Sequence, residues 1–276
     1  MAANCRPAHL PSFHSDWPMQ STRLADRTPF LYPALSLAAL LAVWAVTSLV
    51  ARSDALPTPW AVAERAATEA RSGALLWHLG ITLARVAVAF LIAMLVGTAI
   101  GIGLGGNRRA DQLFGPWLTI ALNMPALVTI ILCYVWFGLN ETAAVLAVTL
   151  NKIPTVAVSL REGTKTLDPN LEDVAGVYRF GFWTRLRHVV LPQLAPYIWG
   201  AVRTGLALTW KIVLVVEFIG RSNGVGFRMN LFFQQWDITG VLVYALAFIF
   251  VAQAFEGLVI APWQAWSERW QLEPAR

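Results

Sequence analysis

Long apolar runs constrain this chain more than any other feature. Residues 30–50, 76–104, 116–137, 142–160, 195–218 and 238–261 are each predominantly apolar over roughly the 20 residues needed to cross a bilayer as a helix. Only 13% of the 276 residues are charged, whereas a soluble domain carries about 25%. The fold class expected is therefore all-α integral membrane, with about six transmembrane helices in a single domain over 29–276. The first 28 residues are mixed in polarity, with Pro7, Pro11 and Pro18 and no apolar core of signal-peptide length. They are expected to form a disordered tail, with the first span serving as the insertion signal.

Several features punctuate the spans. Pro57 and Pro59 stiffen the turn after span 1, and Trp60 to Arg71 has the pattern of a helix lying at the interface. Span 3 contains Pro125 and span 4 contains Pro154, while Asn107, Arg108 and Arg109 close span 2. The 221–237 stretch reads as a loop that partly re-enters the membrane. Trp263, Trp266 and Trp270 fall where an aromatic belt would lie.

Six spans put both termini on one side, and the basic residues select it. Twelve lysines and arginines lie in the two tails, the 107–115 loop and the 161–192 segment, against five in the loops of the other face. The positive-inside rule then makes the termini and residues 161–192 cytoplasmic. The formal charge of +5 is spread over these loops, which fits membrane topology rather than nucleic acid.

The 168–192 segment is the longest polar interruption between spans. Asp168 can cap a helix with Pro169 at its first position. Leu171, Val174, Ala175 and Tyr178 then share one helical face. Gly181 interrupts, and Phe182, Leu186, Val189 and Val190 mark a second short amphipathic helix, expected to end at Pro192. Two such helices between spans have the form of a docking handle; the competing reading is an amphipathic segment lying on the inner leaflet.

No catalytic constellation emerges. His9, His14, His78 and His188 are scattered, and Cys5 and Cys133 support neither a disulfide nor a metal site. The phosphate-binding pattern GxxxxGK[ST] is absent, so no nucleotide site and no cofactor are expected on this chain. Gly101, Gly103 and Gly106 match a dinucleotide-binding fingerprint by count, but they lie inside an apolar span. Gly97, Gly101 and Gly105 instead repeat every fourth residue, the small-residue seam along which membrane helices pack closely. Ionisable residues within spans are the better functional signal. Lys152, Lys211 and Glu217 are candidates for lining a translocation pathway, and two cations near mid-depth favour an anionic solute. The alternatives are that Lys211 and Glu217 neutralise charges on other helices, and that Arg85 and Arg203 snorkel to the interface.

The cytoplasmic segment resembles the EAA loop of binding-protein-dependent ABC transporter permeases, an E-A-A triplet, then a glycine, then I-x-L-P. Asp173-Val174-Ala175 and His188-Val189-Val190-Leu191-Pro192 carry the likeness. Leu56-Pro57-Thr58-Pro59, Thr82-Leu83-Ala84-Arg85-Val86, Trp136 to Thr142 and Ser222 to Phe227 resemble the nitrate/sulfonate/taurine branch of that family. The likeness runs in order over roughly residues 55–265. Asp173 stands where the family has Glu, and Arg179 stands where the motif glycine falls. Arginine does not easily take the positive φ that glycine allows, so the turn is expected to differ locally or to use Gly181.

The resemblance implies the permease subunit of an ATP-driven importer in the bacterial inner membrane. Its implied partners are a pair of cytoplasmic ATPase subunits, a periplasmic or lipid-anchored solute-binding protein, a second copy of this chain, and the lipid bilayer. It implies contact with the ATPase through Glu172, Asp173, Ala175, Gly176, Arg179 and Gly181. The resemblance implies a solute such as a sulfonate, taurine or nitrate, although the branch also carries pyrimidine-like and other small organic solutes. A stand-alone carrier or channel is the alternative, although carriers commonly show internal repeats and none is visible here.

Overall fold

The computed structural model describes residues 31–260, all of whose regular structure is helical. The expected N-terminal tail and the Trp263, Trp266 and Trp270 belt lie outside the described residues. The elements are α1 (Leu31–Ala51), α2 (Pro59–Arg71), α3 (Ala74–Gly105), α4 (Arg108–Leu122), α5 (Ala126–Phe137) and α6 (Glu141–Lys165). They are followed by α7 (Pro169–Val177), α8 (Phe182–Arg185), α9 (Leu191–Gly220), α10 (Val225–Gln234) and α11 (Ile238–Phe255).

Among the described residues, four helices are long and apolar enough to cross a membrane, or five if the bent pair α4–α5 counts as one span. The 30-residue α9 has the length but carries Arg203, Lys211 and Glu217. The protein is thus a multi-pass membrane protein with an all-helical fold.

Helix ends follow local chemistry. Thr58, Asn107, Asn140 and Asp168 each accept a hydrogen bond from a first-turn backbone N–H, which supplies an acceptor for a donor that the helix leaves free. Asn107 therefore opens α4, besides closing the span before it. The expected interfacial helix forms as α2, and the expected re-entrant loop contains a helix, α10.

Two proline expectations need correction. Span 3 is not continuous: α4 and α5 meet at 95°, with Pro125 in an extended conformation (φ −58°, ψ 131°) at the start of α5. The proline ring disfavours helical backbone at Met124 and removes a donor, and here the chain turns. Pro192 does the reverse of what its type suggests. The helix begun at Phe182 does not stop there; it widens into a π turn over Leu186–Val190 and continues as α9. The Leu191 N–H donates to the Leu186 carbonyl, an i→i+5 bond that carries the helix past the missing proline donor.

The core is a bundle of α3, α6 and α9 with α5, α10 and α11 against it. Along α3 and α6 the approach is closest at the glycine seam. A Cβ on Gly97 would lie 2.7 Å from Val156 Cβ, one on Gly101 2.6 Å from Leu160 Cβ, and one on Gly105 2.5 Å from Thr164 Cβ. The residue pairs advance together, so α3 and α6 run parallel. The fourfold glycine spacing is a packing surface, as the sequence pattern indicates. The parallel run also fixes the two ends of the bundle: Arg85 and Glu141 lie towards one, and α7 and α8 project at the other.

Candidate functional site

At the first end, three sequence stretches that are far apart in the chain meet around one arginine. Arg85, on α3, is 4% exposed. Its Nε and one terminal nitrogen form a bidentate pair with Glu141 (2.5 and 2.8 Å), the first residue of α6. Its other terminal nitrogen donates to Glu217 Oε1 on α9 (2.7 Å) and to the Asn223 backbone carbonyl (2.9 Å), and the Asn223 side chain also accepts from the guanidinium. Glu217 is fully buried. Its second oxygen accepts from the Thr82 hydroxyl and the Gly226 N–H, both at 2.9 Å. Arg221 adds a further pair to Glu141 at 2.9 Å.

Arg85 therefore does not snorkel. Two carboxylates and a carbonyl hold it inside, which is how a charge is kept out of water at tolerable cost. Glu217 has both oxygens engaged inside this chain and is a strut between α9, α3 and α10, which is the alternative role of neutralising a charge on another helix. Gly224 is required here. Its φ is +104°, and a Cβ would collide with the Glu217 carboxylate. The Gly224 N–H donates to His78 Nδ1 (3.0 Å), so that histidine is a structural acceptor.

A second network adjoins it. Arg228 pairs with Glu69 (3.1 Å), Tyr244 donates to the same carboxylate oxygen (3.0 Å), and Arg65 lies 3.5 Å from the other oxygen. The Arg228 guanidinium also sits 4.6 Å from the centre of the Phe232 ring. None of Glu69, Glu141, Arg221 or Arg228 was singled out as a site residue in the sequence. The only available signal was that Thr82–Val86, Trp136–Thr142 and Ser222–Phe227 were each distinctive. What the sequence could not supply was their meeting.

The two candidate lysines differ in setting. Lys152 is 4% exposed, 11 residues along α6 or about 17 Å from its start. It makes no hydrogen bond or ion pair among the described residues. Lys211 lies exposed on the surface of α9. The structure does not bring the two together with Glu217.

At the opposite end, the 161–192 segment folds back on itself. Glu172 on α7 pairs with Arg185 on α8, so its carboxylate braces the two short helices. Ala175 is 3% exposed and seats α7 on its own chain. Asp173, Gly176, Arg179 and Gly181 are exposed. The apolar face is not covered by the rest of the chain: Leu171 and Val174 are about half exposed, and Val177, Tyr178, Phe182 and Trp183 are 80%, 72%, 73% and 77% exposed. The expected local change at Arg179 is absent. Arg179 itself adopts the left-handed conformation, φ +52°, while Gly181 has φ −63°. Between this segment and the ends of α3 and α6 lies a cavity of about 530 Å³, lined by Gly105, Thr164, Lys165, Glu172, Phe182 and Arg185 among others.

Residues 89–260 match the family described as "Binding-protein-dependent transport system inner membrane component". The chain is 30% identical over 216 residues to a putative aliphatic sulfonates transport permease protein, SsuC, of Bacillus subtilis, covering 76% of this chain and 78% of that one. It is 28% identical over 199 residues to the bicarbonate transport system permease protein CmpB of Synechococcus elongatus, covering 72% and 70%. With the taurine transport system permease protein TauC of Escherichia coli it shares 31% over 202 residues, covering 71% and 74%. Its fold is similar to that in a crystal structure of an amino acid ABC transporter with histidines, at a TM-score of 0.58 and 19% identity, over 72% of this chain and 96% of that one.

Proposed function

This chain belongs to the binding-protein-dependent transport system inner membrane component family and is an ABC importer permease subunit, and from that premise we propose how its parts serve transport. Residues 29–276 act as one permease domain in the bacterial inner membrane, with both termini and the α7–α8 handle in the cytoplasm. The twelve-to-five distribution of basic residues supports that orientation. Two copies form the pathway. A solute-binding protein delivers the solute at the Arg85 end, and two ATPase subunits seat the handles at the other.

One observation carries the coupling role. The handle presents Val177, Tyr178, Phe182 and Trp183 uncovered, on a frame braced by Glu172–Arg185. An exposed apolar tip of this kind marks a protein or membrane contact, and the ATPase partner that the family implies favours the protein. The chain holds no GxxxxGK[ST] pattern, so ATP is split on the partner and no cofactor is needed here. Closure of the ATPases then moves the handles, and the rigid α6 and α9 helices that flank them transmit the motion. The exposed contact residues are Asp173, Gly176, Arg179 and Gly181, with Glu172 and Ala175 positioning them.

The solute is a small anion. SsuC, TauC and CmpB are named for aliphatic sulfonates, taurine and bicarbonate, and Lys152 and Lys211 supply cationic groups within α6 and α9. The test is co-purification with the partner ATPase, together with uptake of sulfonate, taurine and bicarbonate in a deletion strain. Asp173→Lys and Gly181→Trp abolish both co-elution and uptake on this reading; intact assembly and uptake in both variants defeat it.

A further inference from the structure

Arg179 occupies a backbone position that glycine takes without cost and arginine does not. The last turn of α7 closes with the Phe180 N–H donating to the Ala175 carbonyl (2.9 Å) and the Arg179 N–H donating to the Gly176 carbonyl (3.1 Å). That pair of bonds is a Schellman ending, whose first residue past the cap must be left-handed. Arg179 meets the requirement at φ +52°, against the steric preference of every L side chain with a Cβ. Glycine lies nearby at 176 and 181, yet neither occupies the strained position.

The side chain gains nothing from its own chain that would offset this. Among the described residues its guanidinium has no ion pair or hydrogen-bond partner, whereas Arg185 in the same handle is paired with Glu172. A cation is favoured near a helix C-terminus, but a basic residue within the last turn would obtain that benefit without left-handed backbone. Arg179 is also flanked by the uncovered Val177, Tyr178, Phe182 and Trp183. Strain that a fold retains without internal compensation points to a function outside it.

Resting on the reading that this tip seats on the ATPase, we propose that Arg179 is a partner-selecting residue that pairs with a carboxylate in the ATPase groove. The planar guanidinium fork matches a carboxylate in a bidentate pair. The surrounding aromatic contact excludes water and strengthens that pair relative to one in open solvent. A fixed, strained geometry suits a single acidic site. A lipid headgroup layer would accept any mobile cation and would not require one at this backbone position.

The test uses the full-length permease in nanodiscs and its ATPase, identified by co-purification, with affinity measured across a salt series. Arg179→Gly is expected to raise the thermal midpoint of the permease, weaken ATPase binding tenfold or more, and flatten the salt dependence. Arg179→Lys recovers part of the affinity, and Arg179→Glu is rescued by reversing one acidic residue in the ATPase groove. Unchanged affinity and salt dependence in Arg179→Gly overturn the inference. Asp173→Lys and Trp183→Ala separate the two levels: if they weaken binding while Arg179→Gly does not, only the ion pair is lost, and if they do not, the handle reading falls with it. Binding of the Arg179→Gln permease to anionic phosphatidylglycerol vesicles below wild type, with ATPase affinity unchanged, would assign the residue to the membrane and also overturn the proposal.

Discussion

Arg85 and Glu217 are 132 positions apart in sequence and 2.7 Å apart in space, one 4% exposed and the other fully buried. Through Glu141 and Asn223 this pair joins α3 to the start of α6, the last turn of α9 and the turn before α10. Its charges balance: Arg85 and Arg221 face Glu141 and Glu217. The cluster reads as a clamp that makes this end of the bundle move as one body.

Removing one partner from such a buried pair costs about 3–5 kcal/mol because the other charge is left uncompensated. Arg85→Met and Glu217→Leu should each lower the thermal midpoint of the detergent-purified protein sharply. The double substitution should lose much less than the sum, since it strands no charge in this pair; additive losses would show that the pair does not act as a unit.

The glycine seam predicts a matched contrast. Gly101→Ala puts a Cβ 2.6 Å from Leu160 Cβ, so α3 and α6 must separate at a cost of about 1–3 kcal/mol. Gly103 meets nothing within 4 Å, and Gly103→Ala should be neutral or slightly stabilising through helix propensity. Thermal unfolding followed by size exclusion distinguishes the two.

Lys152 sets stability against function. A lysine only 4% exposed with no partner among the described residues is costly, so Lys152→Met, of similar length and apolar, should raise the thermal midpoint. On the anion-pathway reading the same substitution reduces uptake, whereas a purely structural lysine would give stability without loss of transport.

Arg179→Gly should relieve about 1–2 kcal/mol of left-handed strain. The gain is expected as a higher thermal midpoint of the permease alone, measured apart from any change in ATPase binding.

The handle's frame is testable by charge exchange. Glu172→Arg should loosen the α7–α8 brace and expose the segment to limited proteolysis. Combining it with Arg185→Glu should restore protection, because the pair is reformed with its signs reversed.

Local chemistry was legible wherever neighbours in sequence decide the outcome. Asp168 and Pro169 start α7, the Trp60 to Arg71 pattern forms the body of α2, and the Gly97, Gly101 and Gly105 repeat marks the face that meets α6. Each depends on a helix turn or a fixed periodicity, and both are properties of the chain alone. Pro125 and Pro192 show the limit. Both remove a donor, yet one accompanies a 95° bend and the other a π turn within a continuing helix. A proline creates the defect, and the packing of surrounding helices selects how it is absorbed.

The sequence by itself determined that this is a multi-pass helical membrane protein of the importer permease family, because apolar length and ordered motifs survive without coordinates. Only the tertiary structure decided that Arg85 is clamped rather than snorkelling, that Glu217 is a strut, and that Arg179 bears the strain. Charges within spans must find partners across the fold, and one residue's backbone angle depends on the turn it closes. Neither is encoded in the spacing of residues along the chain.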